Sequence, residues 1–140
     1  MIKAKKLILF CLIVFAYSMI AVGCGEKRDT LEKIKDLEFT VITEENAPEE
    51  LLAITEEKKE EGFKLTFQDN GFLYICRGYG KQPTGGFCIR VDALYETENA
   101  IYFDTTLEGP VPGKEEKRQS PSYPYVIIKT ELIDKPVVFE

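Results

Sequence analysis

Residues able to carry chemistry are unevenly supplied in this sequence. The 140-residue chain holds no histidine, four cysteines, and 24 acidic against 18 basic residues. Without histidine there is no ordinary general base at neutral pH, no Ser-His or Cys-His pair, and none of the commonest metal ligand. Cys76 and Cys88 lack the spacing to further ligands that a zinc site requires. Two carboxylates could serve a hydrolase, but among so many acids no pair stands out. No Gly-Lys-Ser/Thr phosphate loop or dinucleotide fingerprint is present. Neither an enzyme, a cofactor nor a metal site is therefore expected. The cysteines offer other chemistry: Cys11 lies in an apolar run, Cys24 closes "AVGC", and Cys76 with Cys88 forms a disulfide candidate in an oxidising compartment. The alternative for that pair is two free thiols.

The first residues, "MIKAKKLILFCLIVFAYSMIAVGCG", bear on the compartment. Lys3, Lys5 and Lys6 precede an apolar run from Leu7 to Val22, and small residues follow, which is the layout of a secretory signal. Ala21, Val22 and Gly23 directly before Cys24 resemble the bacterial lipoprotein signal. That resemblance implies a diacylglycerol on the Cys24 thiol, cleavage after residue 23, and an extracytoplasmic protein held to the membrane by its acyl chains. An uncleaved anchor helix and a plainly secreted chain are the alternatives, and all three place the domain outside the cytoplasm. Losing residues 1–23 removes three lysines and no acid, so the mature chain is more acidic than the full-length net charge of −6. An acidic surface lacks the basic footprint that nucleic acid demands.

Residues 24–36 are highly charged and read as a membrane tether, with the domain at 37–140. "LEFTVIT", Leu37 to Thr43, alternates like a strand. "NAPEELLAITEEKKEEG" carries helix punctuation in order, with Asn46 near the cap, Pro48 in the first turn and Gly62 as the stop. It predicts one short amphipathic helix over roughly 48–61, burying Leu51, Leu52 and Ile54. From Phe63 the period changes to two, and "FKLTFQD", "GFLYICRGYG", "FCIRVDALYE", "AIYFDTTL", "PYVIIKTE" and "PVVFE" read as strands. The expected fold is mainly β (α+β): an antiparallel, sandwich-like domain of six to seven strands with one helix.

A hairpin around Pro83 would align its apolar faces by setting Leu73 opposite Val91 and Ile75 opposite Ile89. That register places Cys76 opposite Cys88, where a non-hydrogen-bonded pair approaches disulfide spacing. The next hairpin would set Val91 against Phe103, Ala93 against Ile101, and Arg90 across from Asp104.

The loop "GYGKQPTGGF" is the candidate site. Pro83 suits the second position of a tight turn and Gly85 the fourth, while Gly86 permits a bulge or a close approach. Tyr79, Lys81, Gln82, Thr84 and Phe87 surround this frame with the aromatic and polar mixture common at protein contacts. The loop could equally be an ordinary turn. The loop Glu108 to Pro124 contains Pro110, Pro112, Pro121 and Pro124 and the charge run "KEEKRQ", and reads either as a rim beside the hairpin or as disorder.

"GYGKQPTGGF", the following "CIRVDALYETENAIYFDTTLEGP" and the late "SYPYVIIK" resemble the PrcB C-terminal family over about residues 72–130. The most specific elements are the turn Pro83 to Phe87 and Pro124–Tyr125 before an apolar strand. The resemblance implies an exported, non-catalytic partner that assists or stabilises a surface protease. "QPTGGF" alone is also similar to the Asn-Pro-Thr-Thr-Gly-aromatic loop of chagasin-type protease inhibitors, with Gln82 and Gly85 departing from that motif. This similarity keeps inhibition as an alternative, beside a structural or ligand-binding envelope protein. The expected partners are thus a protein, such as an exported protease, and the membrane through the lipid anchor.

Overall fold

The computed structural model describes residues 32–113 and 120–140. The signal at 1–23, Cys24 and the run "KEEKRQ" lie outside the described residues. Among these residues the strands are β1 (Lys33–Asp36), β2 (Thr40–Val41), β3 (Phe63–Asp69), β4 (Phe72–Gly78), β5 (Cys88–Thr97), β6 (Ile101–Glu108), β7 (Tyr125–Glu131) and β8 (Val137–Phe139). A 3-10 turn (Glu44–Asn46) and helix α1 (Glu49–Lys58) lie between β2 and β3. The mainly β, sandwich-like fold is as expected, with eight strands instead of six to seven. The stretch assigned to the tether supplies β1, whose four residues are all exposed and carry no apolar pattern to announce a strand.

The strands form two four-stranded sheets, ordered β1-β5-β6-β8 and β2-β7-β4-β3. Pairing is antiparallel except for β8, which runs parallel to β6. Between the sheets lies a core of Leu73 and Ile75 from β4, Ile128 from β7, and Leu94, Ile101 and Phe103 from β5 and β6. Because side chains alternate faces along a strand, Tyr74, Cys76 and Ile127 point the other way, where they meet Leu51 of α1. The molecule is therefore layered sheet, sheet, helix. On α1 the buried residues are Leu51 and Thr55, while Leu52 and Ile54 are half-buried. Gly62, at φ +76°, turns the chain from the helix into β3.

This arrangement corrects the register expected around Pro83. β4 pairs with β3 and β7, and β5 with β1 and β6, so β4 and β5 belong to different sheets. Leu73–Val91, Ile75–Ile89 and Cys76–Cys88 are not cross-strand pairs, and "GYGKQPTGGF" is a crossing between sheets, not a hairpin. The cause is that "LYIC" in β4 is buried on both faces. A strand buried on both sides is central in its sheet and shows no alternation from which a register can be read.

The β5–β6 register differs too. Leu94 faces Phe103, Glu96 faces Ile101, and the ladder slips by one residue between Val91 and Ala93. A two-residue turn, Glu98–Asn99, closed by Thr97 N–H donating to the Ala100 carbonyl at 2.8 Å, sets the near end. A bulge at Asp92 then restores the inward set, returning Val91 and Ile89 to the core. Arg90 faces Thr106, and its carboxylate partners are Asp92 and Glu108 instead of Asp104. The Thr106 hydroxyl and Arg90 together hold the Asp92 carboxyl below its ordinary range.

Candidate protein-binding site

The crossing Tyr79–Phe87 leaves the end of β4 and is fastened on both sides. Lys81 N–H donates to the Glu60 carbonyl at 3.0 Å, joining it to the turn after α1. Gln82 and Ser122 exchange backbone hydrogen bonds at 2.8 and 3.1 Å, and Tyr79 N–H donates to the Pro124 carbonyl at 3.1 Å. The Ser122 hydroxyl donates to the Thr84 carbonyl at 2.6 Å. The described part of the β6–β7 loop thus forms a rim beside the crossing, and Lys59 Nζ lies 5.2 Å above the Tyr123 ring on that rim.

The glycines are explained by close approach and by left-handed backbone. A Cβ on Gly78 would stand 2.3 Å from the Phe63 ring. Gly80 has φ +78°, and a Cβ there would meet the Glu60 carbonyl oxygen at 3.1 Å. Gly86 has φ +87° against Pro110, whereas Gly85 does not adopt a positive φ. Such positive φ values favour glycine because a side chain clashes there.

Of the residues singled out from sequence, Lys81, Pro83 and Gly86 are exposed, and Gln82, Thr84, Gly85 and Phe87 are half-buried. The crossing therefore brings them together as one surface. Tyr79 has an internal role: its hydroxyl reaches across the sandwich to the Thr105 carbonyl at 2.9 Å and the Thr105 hydroxyl at 2.7 Å. Its ring lies 4.4 Å from the Arg77 guanidinium. Arg77, Thr105 and Ser122 were not singled out from sequence. The signal for Arg77 is an arginine inside an otherwise apolar strand run, two residues before the loop tyrosine.

Cys76 and Cys88 are both free, Cys76 buried and Cys88 exposed at the start of β5. The disulfide expectation is corrected by topology, since Cys76 faces α1 on the far side of its sheet from β5. Cys88 Sγ instead lies 3.8 Å from a Glu108 carboxylate oxygen. Burial pushes the Cys76 thiol up to about 12, opposed by a contact with the Thr55 hydroxyl at 3.9 Å. A thiol so raised is a poor nucleophile at neutral pH. Its folded pKa lies above its unfolded value of 9.0. Its contribution is therefore intact below pH 9 and lost as pH rises toward 12, because the unfolded chain releases the proton first. Denaturation midpoints measured across that window should fall more steeply for the native sequence than for Cys76→Ala.

Among the described residues, no group of three or more cysteine, aspartate or glutamate side chains is placed to hold a metal. Residues 73–131, running from β4 through the crossing and β5 to β7, match the PrcB C-terminal family. No curated protein and no solved structure shows significant similarity to the chain.

Proposed function

From the match of residues 73–131 to the PrcB C-terminal family, we propose that this chain is a non-catalytic extracytoplasmic lipoprotein that binds an exported protease and assists or stabilises it. The observation carrying the reading is the crossing Tyr79–Phe87, fastened to two neighbouring loops while Lys81, Pro83 and Gly86 stay exposed. A surface whose shape is fixed before contact loses less entropy on association than a free loop. The proposed anchor is a lipid on Cys24, which leaves the domain at the membrane surface where an exported partner is met.

One experiment addresses both parts, using the intact chain in its own membranes. The native chain should incorporate a fatty-acid analogue and co-purify with a protease whose half-life it lengthens. Cys24→Ala should abolish the label and release the chain from the membrane fraction. Lys81→Ala combined with Pro83→Ala should weaken partner binding by about tenfold or more, equivalent to about 1.4 kcal/mol, with stability changed by about 1 kcal/mol or less. Native affinity in that double variant rejects the crossing as the contact surface. A fall in proteolysis on adding the native chain favours inhibition over assistance.

A further inference from the structure

The inner face of β3 carries only polar residues: Lys64, Thr66 and Gln68, all exposed. Their partners across the ladder in β4 are Arg77, Ile75 and Leu73 respectively. Lys64 and Arg77 are thus two cations directly opposite each other on one face, a pairing that opposes folding. Among the described residues no carboxylate lies within ion-pair distance of either cation, in a chain whose acids outnumber its bases. That includes Glu61, which with Phe63, Lys64, Arg77 and Tyr79 lines a pocket of about 400 Å³ at this place.

The guanidinium is held but not satisfied. Its Nη1 donates to the Phe63 and Gly78 carbonyls at 3.3 and 3.2 Å, and its Cζ lies 4.4 Å from the centre of the Tyr79 ring. Nε is buried without any hydrogen-bond partner, and Nη2 donates to no protein group among the described residues. An arginine offers five donors in a rigid fork; with Nε enclosed and Nη1 engaged, the Nη2 donors beside a lysine form a receptor for a planar anion. We propose that Arg77 and Lys64 form a carboxylate-binding site, which takes an acidic side chain or a chain terminus of the protein partner beside the Tyr79 crossing. Arg77 would supply directed donors and Lys64 a second, mobile charge.

The inference rests on the protein-binding reading, but its test uses peptides and so can fail separately. The probes are an end-capped peptide with one aspartate, a peptide without acids that ends in a free carboxylate, and inorganic phosphate. The reporter is the Nε–H resonance of Arg77 in the full chain. Either peptide should shift that resonance saturably, and the arm that does so identifies side chain or terminus as the source. Arg77→Gln should weaken binding of that peptide by about tenfold, the scale of a lost charge-assisted contact. Arg77→Lys, which keeps charge without the fork, should restore only part of it. Lys64→Gln, at an exposed position, carries the test if Arg77→Gln does not fold, with an expected loss of about threefold. No saturable shift from either peptide overturns the proposal. So does a shift from phosphate as large as that from the better peptide, which marks an anion site with no carboxylate preference. Loop variants that lose the partner while Arg77 stays silent would overturn the carboxylate site alone.

Discussion

Phe103→Ala should destabilise the domain by about 3–5 kcal/mol, the range for deleting a buried aromatic ring. Phe103 is fully buried in β6, opposite Leu94 of β5 and within the cluster shared with Leu73 and Ile75 of the other sheet. Its ring meets Phe139 of β8 edge-on at 5.9 Å and 76°. Truncation therefore removes contact with both sheets and with the short parallel strand at once. Denaturant unfolding should show a lower midpoint with an unchanged slope. Ile34→Ala is the matched control, since Ile34 in β1 is 58% exposed and should cost about 0.5 kcal/mol or less. A loss below about 1 kcal/mol for Phe103→Ala would mean that the two sheets are not packed face to face.

The strands from β3 to β8 and the helix were legible in the sequence because each is written in a period or in punctuation. Pro48 and Gly62 bracket α1, and β3 alternates cleanly between Phe63, Leu65 and Phe67 on one side and Lys64, Thr66 and Gln68 on the other. Pairing was less legible. Pairing by apolar face requires each strand to bury a single face, which fails for "LYIC" in β4, covered by the opposite sheet and by α1. It also requires an unbroken ladder, which the one-residue bulge at Asp92 interrupts. Both failures concern contacts distant in sequence. The crossing Tyr79–Phe87 stood out by composition, but its role as a bridge between sheets did not. That role depends on Ser122, Glu60 and Thr105, none of which carries a local signal. β1 was missed for the plainest reason: "KIKD" is an exposed edge, and nothing apolar marks it.

Gly78→Val should cost about 1–3 kcal/mol through overpacking, toward the upper end because the obstruction is a buried ring. Gly78 faces Phe63 across the β3–β4 ladder, and a Cβ at Gly78 would lie 2.3, 2.6 and 2.9 Å from three carbons of that ring. The ring cannot simply swing clear, being packed with Leu51, Cys76 and Ile127 and lying 6.3 Å from the Tyr125 ring. The glycine is thus the empty half of a complementary pair. Phe63→Ala should open the space that the added isopropyl group needs, so the double variant should lose less stability than the two single losses combined. The expected coupling is about 0.5–3 kcal/mol, as for residues in direct contact. Full additivity would place the cause elsewhere, in the backbone of β4. Gly78 stands between Arg77 and Tyr79, and its own carbonyl accepts from the Arg77 guanidinium. Displacing this backbone should therefore disturb the proposed carboxylate site and the start of the crossing together. Partner affinity should fall in Gly78→Val and recover in the double variant along with stability. Recovery of stability without recovery of binding would instead separate the two, and show that the buried Phe63 ring holds the β3–β4 backbone in the shape the site needs.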